Sequence, residues 1–174
     1  SRGIDFATRC AFHHSFFLAS KTAKDGSTYK NLSFPMHIPE QPERCVGLEE
    51  RGYPRKDGSA RKGMATGTNA SEGLWMASPK KTALQDARVV LVFESAYDAM
   101  AFYQLQMRKE TGLDQRGRQD LKAGVYVSTG GNPSYGQIQG LLKAAPQATF
   151  HLGFDKDVAG KQFVANFEDI ASKQ

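Results

Sequence analysis

The sequence predicts an α/β fold: a compact parallel sheet flanked by helices, preceded by a small β-rich α+β subdomain. Three observations carry this prediction. Val89 to Phe93 (Val-Val-Leu-Val-Phe) is an unbroken apolar run, the signature of a parallel strand covered on both faces. After Pro79, strand-like and helix-like segments alternate, as they do when right-handed crossovers build a parallel sheet. Before Pro79, extended runs are separated by turn signals such as Asp25-Gly26, which reads as antiparallel pairing. The expected division is residues 1–80 and 81–174.

Taken in order, Ile4 to Cys10 suits a short helix capped by Asp5, because an Asp side chain can accept from the orphan amides of a first turn. Ser15 to Ser20 reads as a strand, and Tyr29 to Ile38 as another, with Pro35 favouring an edge or a bulge. Pro39 to Glu43 is expected as a turn and Arg44 to Arg51 as a third strand. Gly52 to Gly73 is polar, basic and glycine-rich, and is expected as a surface loop. Leu74 to Ala77 is short but apolar, and is expected as one more strand.

In the second part, the strand ending at Phe93 leads into a helix from Tyr97 to Arg108. Lys109 to Ala123 is charged and is expected as a mobile excursion. Gly124 to Ser128 is the next strand, Thr129 to Ser134 a tight turn, and Tyr135 to Ala145 a helix stopped by Pro146. Ala148 to Phe154 is the last strand and Ala159 to Ser172 the last helix.

The bulk numbers bound the function classes. The formal charge of +5 is a mild basic excess, compatible with a phosphate-bearing partner and equally with a soluble protein held away from zero charge. Cys10 and Cys45 make neither a disulfide framework nor a zinc quartet. No apolar run approaches about 18 residues, and no secretory signal is visible, so a cytoplasmic protein without a membrane partner is expected. The opening Ser1-Arg2-Gly3-Ile4 and the helical ending suggest a piece of a longer protein.

Chemistry is expected at Glu94, which directly ends the buried strand, because ligands of open α/β sheets sit beyond the carboxyl ends of the strands. Asp155-Lys156-Asp157 follows the last strand in the same way. Alternate residues of an extended segment face one way, so both carboxylates can reach one ion while Lys156 points elsewhere. Three carboxylates at one edge repel each other unless a cation neutralises them, and hard oxygen ligands with open positions suit magnesium, with manganese as a substitute. Asp98 lies one helical turn beyond Glu94 and either supports this cluster or serves the helix dipole alone. Asp155-Lys156-Asp157 alone would read as a capping turn; it gains weight from its place and from Glu94. Thr129-Gly130-Gly131-Asn132 lets backbone approach a phosphate at Gly130 and Gly131, or is a plain turn. It is not a Walker loop, since the Gly-Lys-Ser/Thr ending is missing.

Arg51, Arg55, Lys56, Arg61 and Lys62 form a basic cluster, with Arg44 close in sequence. It reads as a phosphate-backbone track or as a solvated loop. Tyr53 and Trp75 have the chemistry to stack bases, although Trp75 better suits the core. His13-His14 lack partners at metal-ligand spacing.

These residues resemble a known family. Val90 to Ala99 (Val-Leu-Val-Phe-Glu-Ser-Ala-Tyr-Asp-Ala) resembles the first motif of the Toprim domain, shared by bacterial primases, topoisomerases, OLD-type nucleases and recombination-repair proteins. Phe154-Asp155-Lys156-Asp157-Val158-Ala159-Gly160 resembles its Asp-x-Asp motif in the form seen in primases, and Val127 to Gly131 stands in the place of the glycine turn between them. Leu32-Ser33-Phe34-Pro35, Val46 to Gly52 and Gly73-Leu74-Trp75-Met76 resemble the subdomain that precedes Toprim in bacterial-type primases, of the kind found in phage, plasmids and mobile elements. Ser95 stands where primases usually have glycine.

The resemblance implies magnesium-dependent nucleotidyl or phosphoryl transfer on DNA, as in DNA replication. Asp155 and Asp157 would hold the metal, Glu94 would act as general acid or base or a further ligand, and Asp98 would support them. Arg51, Arg61, Lys62 and Lys161 would contact nucleic acid. The implied partners are single-stranded template DNA, nucleoside triphosphates for a primase, and a helicase or relaxase. A Toprim nuclease and a non-catalytic nucleic-acid-binding module are the alternatives. Nothing marks the nucleophilic tyrosine of a topoisomerase.

Overall fold

The computed structural model describes residues 3–23, 25–53, 60, 62–108 and 112–173. The chain begins with helix α1 (Phe6–Ala11), whose first turn is capped by Asp5 accepting from the Thr8 amide at 2.7 Å. Strands β1 (Phe17–Thr22), β2 (Thr28–Ile38), β3 (Gln41–Gly52) and β4 (Lys62–Met64) form an antiparallel sheet in that order. The β1–β2 hairpin turns at Asp25-Gly26, where Gly26 takes φ 82° and Asp25 Oδ1 accepts from the Ser27 amide. That left-handed conformation is the reason the turn signal works.

β2 is central in this sheet, yet it carries Pro35. The β1 pairing stops at Ser33, so Pro35 pairs only with Leu48 of β3 and stands at a local edge. The register then slips on either side of His37, which ends the regular ladder.

The second sheet is built from β5 (Trp75–Ala77), β6 (Val89–Phe93), β7 (Val125–Ser128) and β8 (Thr149–Leu152), in the order β5-β7-β6-β8. β7, β6 and β8 are parallel, and β5 pairs antiparallel with β7. A short 3-10 turn (Leu84–Asp86) precedes β6. The helices are α2 (Ala96–Met107), α3 (Gln115–Ala123), α4 (Tyr135–Ala144) and α5 (Val158–Ala171).

The twofold side-chain period of β6 divides the core. Leu91 and Phe93 join Tyr126 and, from α2, Ala99, Met100 and Tyr103. Val90 and Val92 join Val125, Val127, Ile138 and Leu141, with Phe167 and Ile170 of α5. Phe12, Phe34 and Trp75 belong to the first of these clusters, so the antiparallel sheet and the parallel sheet share one core. Phe12 meets Tyr103 and Tyr126 edge-to-face at 5.2 and 5.3 Å.

The structure departs from the sequence expectations at four places, the first being Gln41-Pro42-Glu43, expected within a turn and found to open β3. The Gly52–Gly73 stretch contains β4, paired with Glu49 to Arg51 of β3; three residues, Lys62-Gly63-Met64, are too few to show alternation. The excursion expected over Lys109 to Ala123 contains α3, capped by Asp114. That helix offers Leu121 as its apolar contact and contains Gly117, so it has no apolar stripe to betray it. Arg118 anchors it instead, donating to the Leu113, Met107 and Arg108 carbonyls at 3.1, 2.7 and 3.1 Å. Finally, β5 lies in the second sheet although it precedes residue 80. No helix among the described residues is long and apolar enough to cross a membrane.

Candidate metal and phosphate edge

The carboxyl ends of β6, β7 and β8 lie along one edge, because the three strands run parallel in adjacent register. Glu94 follows β6, Thr129-Gly130-Gly131 follows β7, and Asp155-Lys156-Asp157 follows β8. Glu94 is half-buried, and its Oε1 accepts from the Asp155 amide in a long bond of 3.5 Å. This bond ties the ends of β6 and β8 together.

Asp155 and Asp157 are both exposed. Asp157 is the N-cap of α5, its Oδ1 accepting from the Gly160 amide at 2.8 Å, so Oδ2 is the oxygen it offers to an ion. Asp98 is exposed and serves the start of α2. Ser95 Oγ donates to Asp98 Oδ2 at 2.5 Å and accepts from the Asp98 amide at 3.3 Å. Asp98 thereby complements the positive end of the helix. Among the described residues, no three of His, Cys, Asp and Glu stand close enough to cage a metal.

The donor set fits magnesium in a particular way. Mg²⁺ keeps several waters and is commonly held by one or two carboxylates together with substrate phosphates. The exposed carboxylates of Asp155 and Asp157, with half-buried Glu94 against the Asp155 amide, suit that mode and do not suit a dry, all-protein cage.

The glycine turn is held from inside. The Thr129 amide donates to Phe93 O at 3.1 Å, and the Gly130 amide to Ser128 Oγ at 3.1 Å. The Gly130 amide, offered by sequence to a phosphate, therefore points inward. Gly130 takes φ 73°, and a Cβ there would stand 2.2 Å from Met64 Cε, so β4 packs directly on the turn. Gln137 Nε2 supports the turn from below, donating to Thr129 O at 3.1 Å and to Gly73 O at 2.7 Å.

The basic residues separate. Arg51 is buried, at 4% exposure, and its Nη2 pairs with Glu49 Oε1 at 2.5 Å. Lys62 is exposed on β4, and Lys161 is exposed in the first turn of α5 beside the Asp155–Asp157 loop. Arg44 is exposed on β3. Arg61, Arg55 and Lys56 lie outside the described residues. Trp75 is buried and donates Nε1–H to Ser15 O at 2.7 Å, while Tyr53 is 87% exposed. His13 and His14 stack edge-to-face at 5.4 Å on the surface, where partial burial and the neighbouring His13 and Lys81 charges lower the His14 pKa.

Glu49 and Ser128 complete this region, and sequence reasoning did not single them out. Ser128 Oγ donates to Glu49 Oε2 at 3.1 Å. Burial pushes the Glu49 carboxyl up, against the pull of Arg51, Ser128, Lys62 and the Ala96 amide. The available signal was spacing: Glu49 and Arg51 stand two apart on one strand and so face the same way.

Residues 91–174 match the Toprim-like family. No curated protein sequence matches the chain. The chain is similar in structure to the zinc-binding and RNA polymerase domains of the Aquifex aeolicus primase, with a TM-score of 0.51 and 13% identity over 87% of this chain and 34% of that one. It is also similar to a DnaG primase catalytic domain bound to ssDNA, with a TM-score of 0.47 and 13% identity over 97% of this chain and 71% of that one. A further similar structure is the RNA polymerase domain of Mycobacterium tuberculosis primase DnaG, with a TM-score of 0.46 and 14% identity over 97% and 51% of the two chains. The chain thus spans about a third of the length of the Aquifex chain, and the likeness is one of fold.

Proposed function

Because residues 91–174 are Toprim-like and end three parallel strands at one carboxylate-bearing edge, we propose that the chain is a primase-like core for magnesium-dependent nucleotidyl or phosphoryl transfer on DNA. The observation that carries this reading is the contact between Glu94 and the Asp155 amide at the strand ends. The fold likeness to a primase chain of zinc-binding and RNA polymerase domains supports a primase-like reading.

In this reading Asp155 and Asp157 would hold Mg²⁺ together with substrate phosphates, leaving Glu94 as the general base. Bound there, the ion would neutralise charge on the reacting phosphate. Glu94 takes the proton from the attacking hydroxyl, its position set by β6 and by the Asp155 amide. Asp98 keeps α2 anchored at Ser95 and adds negative charge beside the site. Lys62 and Lys161 contact the sugar–phosphate backbone from the two sides of the edge, where their exposed ammonium groups need no desolvation. Arg61 is assigned to the same track. Arg51, expected by sequence on this track, is buried and paired with Glu49, and so is left out of it.

Calorimetry with Mn²⁺ tests the metal reading. The chain is expected to bind at millimolar affinity or tighter, and an Asp155→Asn, Asp157→Asn double variant to lose that binding. Equal heats from both would sink it. Glu94→Gln is expected to abolish turnover with DNA binding retained, which separates an enzyme from a binding module. Ribonucleotide polymers as product would identify a primase, and shortened strands a nuclease.

A further inference from the structure

Glu49, Arg51 and Ser128 form a buried polar chain between the two sheets, and the proposed chemistry does not use it. Glu49 is 0% exposed and Ser128 0%. A carboxylate in such a place is costly unless paired and hydrogen-bonded, and apolar side chains fill comparable spaces at no greater cost. Packing alone therefore does not account for it.

The bonds themselves point to the site. The Glu49 carboxylate pairs with Arg51 Nη2 at 2.5 Å and accepts from the Ser128 hydroxyl at 3.1 Å. Ser128 Oγ in turn accepts from the Gly130 amide at 3.1 Å and lies 3.4 Å from the main-chain oxygen of Glu94. A hydroxyl has one proton. With that proton committed to Glu49, the Ser128 lone pairs face the Gly130 amide.

We propose that Glu49 is a positioning residue of the carboxylate edge: through Ser128 it sets the shape of the Thr129–Gly131 turn beside Glu94, and by pairing with Arg51 it keeps that cation inside the protein. Its role in serving the site rests on the metal and phosphate reading above. Its effect on the turn is measurable without that reading.

Two variants test it. Ser128→Ala leaves the ion pair in place. Glu49→Leu with Arg51→Met exchanges the pair for apolar side chains, a replacement that buried pairs commonly tolerate. In each, hydrogen exchange of the Gly130 amide is expected to rise by about tenfold, the effect of losing one hydrogen bond of ordinary strength, while the amides of Val90 to Val92 keep their protection. Mn²⁺ affinity is expected to fall by about tenfold, as for other groups that orient metal ligands. Wild-type protection of Gly130 in either folded variant overturns the positioning role. Faster Gly130 exchange with unchanged Mn²⁺ affinity overturns its service to the site. If the double replacement does not fold, Glu49→Gln, which removes the charge that holds the Ser128 proton, gives the Gly130 readout in its place. If the wild type binds no Mn²⁺, the metal reading fails and Gly130 exchange still decides whether Glu49 positions the turn.

Discussion

A methyl group on Gly160 would stand 1.9 Å from the Asp155 carbonyl oxygen. Backbone cannot yield there as a flexible side chain would, so the close approach of α5 to the Asp155–Asp157 loop depends on glycine at this position. The same residue gives its amide to Asp157 Oδ1, which couples helix start and carboxylate loop. Gly160→Ala is therefore expected to cost about 1–3 kcal/mol by overpacking and to weaken Mn²⁺ binding by displacing Asp155. Urea unfolding and calorimetry measure the two effects. Gly63→Ala is the control, since nothing lies within 4 Å of a Cβ there; equal stability losses at both positions would contradict the account.

At the scale of elements, the site is held by helix starts. Ser95 caps α2, Ser134 caps α4 and Asp157 caps α5, and each cap stands next to a strand end of the candidate edge. Ser134 does more than cap. Its Oγ accepts from the Gln137 amide, Gln137 returns a bond to the Ser134 amide, and the hydroxyl donates to Ser71 O. This capping box pins α4 to the segment before β5 and holds Gln137 under the glycine turn. Ser134→Ala is expected to cost about 1–2 kcal/mol, the upper part of the range for a lost cap. The midpoint of thermal unfolding should fall, and exchange of the Gln137 and Ile138 amides should quicken. An unchanged midpoint would show that the capping box contributes nothing to stability.

For the whole molecule, the shared core sets cooperativity. Phe34 of β2 is fully buried and meets Trp75 at 5.9 Å and Tyr97 at 5.7 Å, so it joins the antiparallel sheet to α2 and β5. The two sheets should unfold together. Phe34→Ala is expected to lower stability by about 3–5 kcal/mol in a single transition, with Trp75 fluorescence and far-ultraviolet dichroism coinciding. An early fluorescence change followed by a separate loss of helix would contradict this and make the antiparallel sheet an independent unit.

Local pattern determined much of this protein. The unbroken run Val89–Phe93 specified a buried strand, the Asp25-Gly26 turn a hairpin, and the strand–helix alternation after Pro79 a parallel sheet whose edge gathers Glu94 and the Asp155–Asp157 loop. Each depends on neighbours in sequence, and periodicity reads such neighbours directly. Tertiary structure decided the rest. Sheet membership placed β5 beside β7, and an arginine clamp stabilised an α3 that has no apolar stripe. Burial turned Arg51 from a surface cation into the partner of Glu49. A buried ion pair joined to a distant serine is a product of long-range packing, and desolvation, which makes such pairing obligatory, acts only once the two sheets have come together.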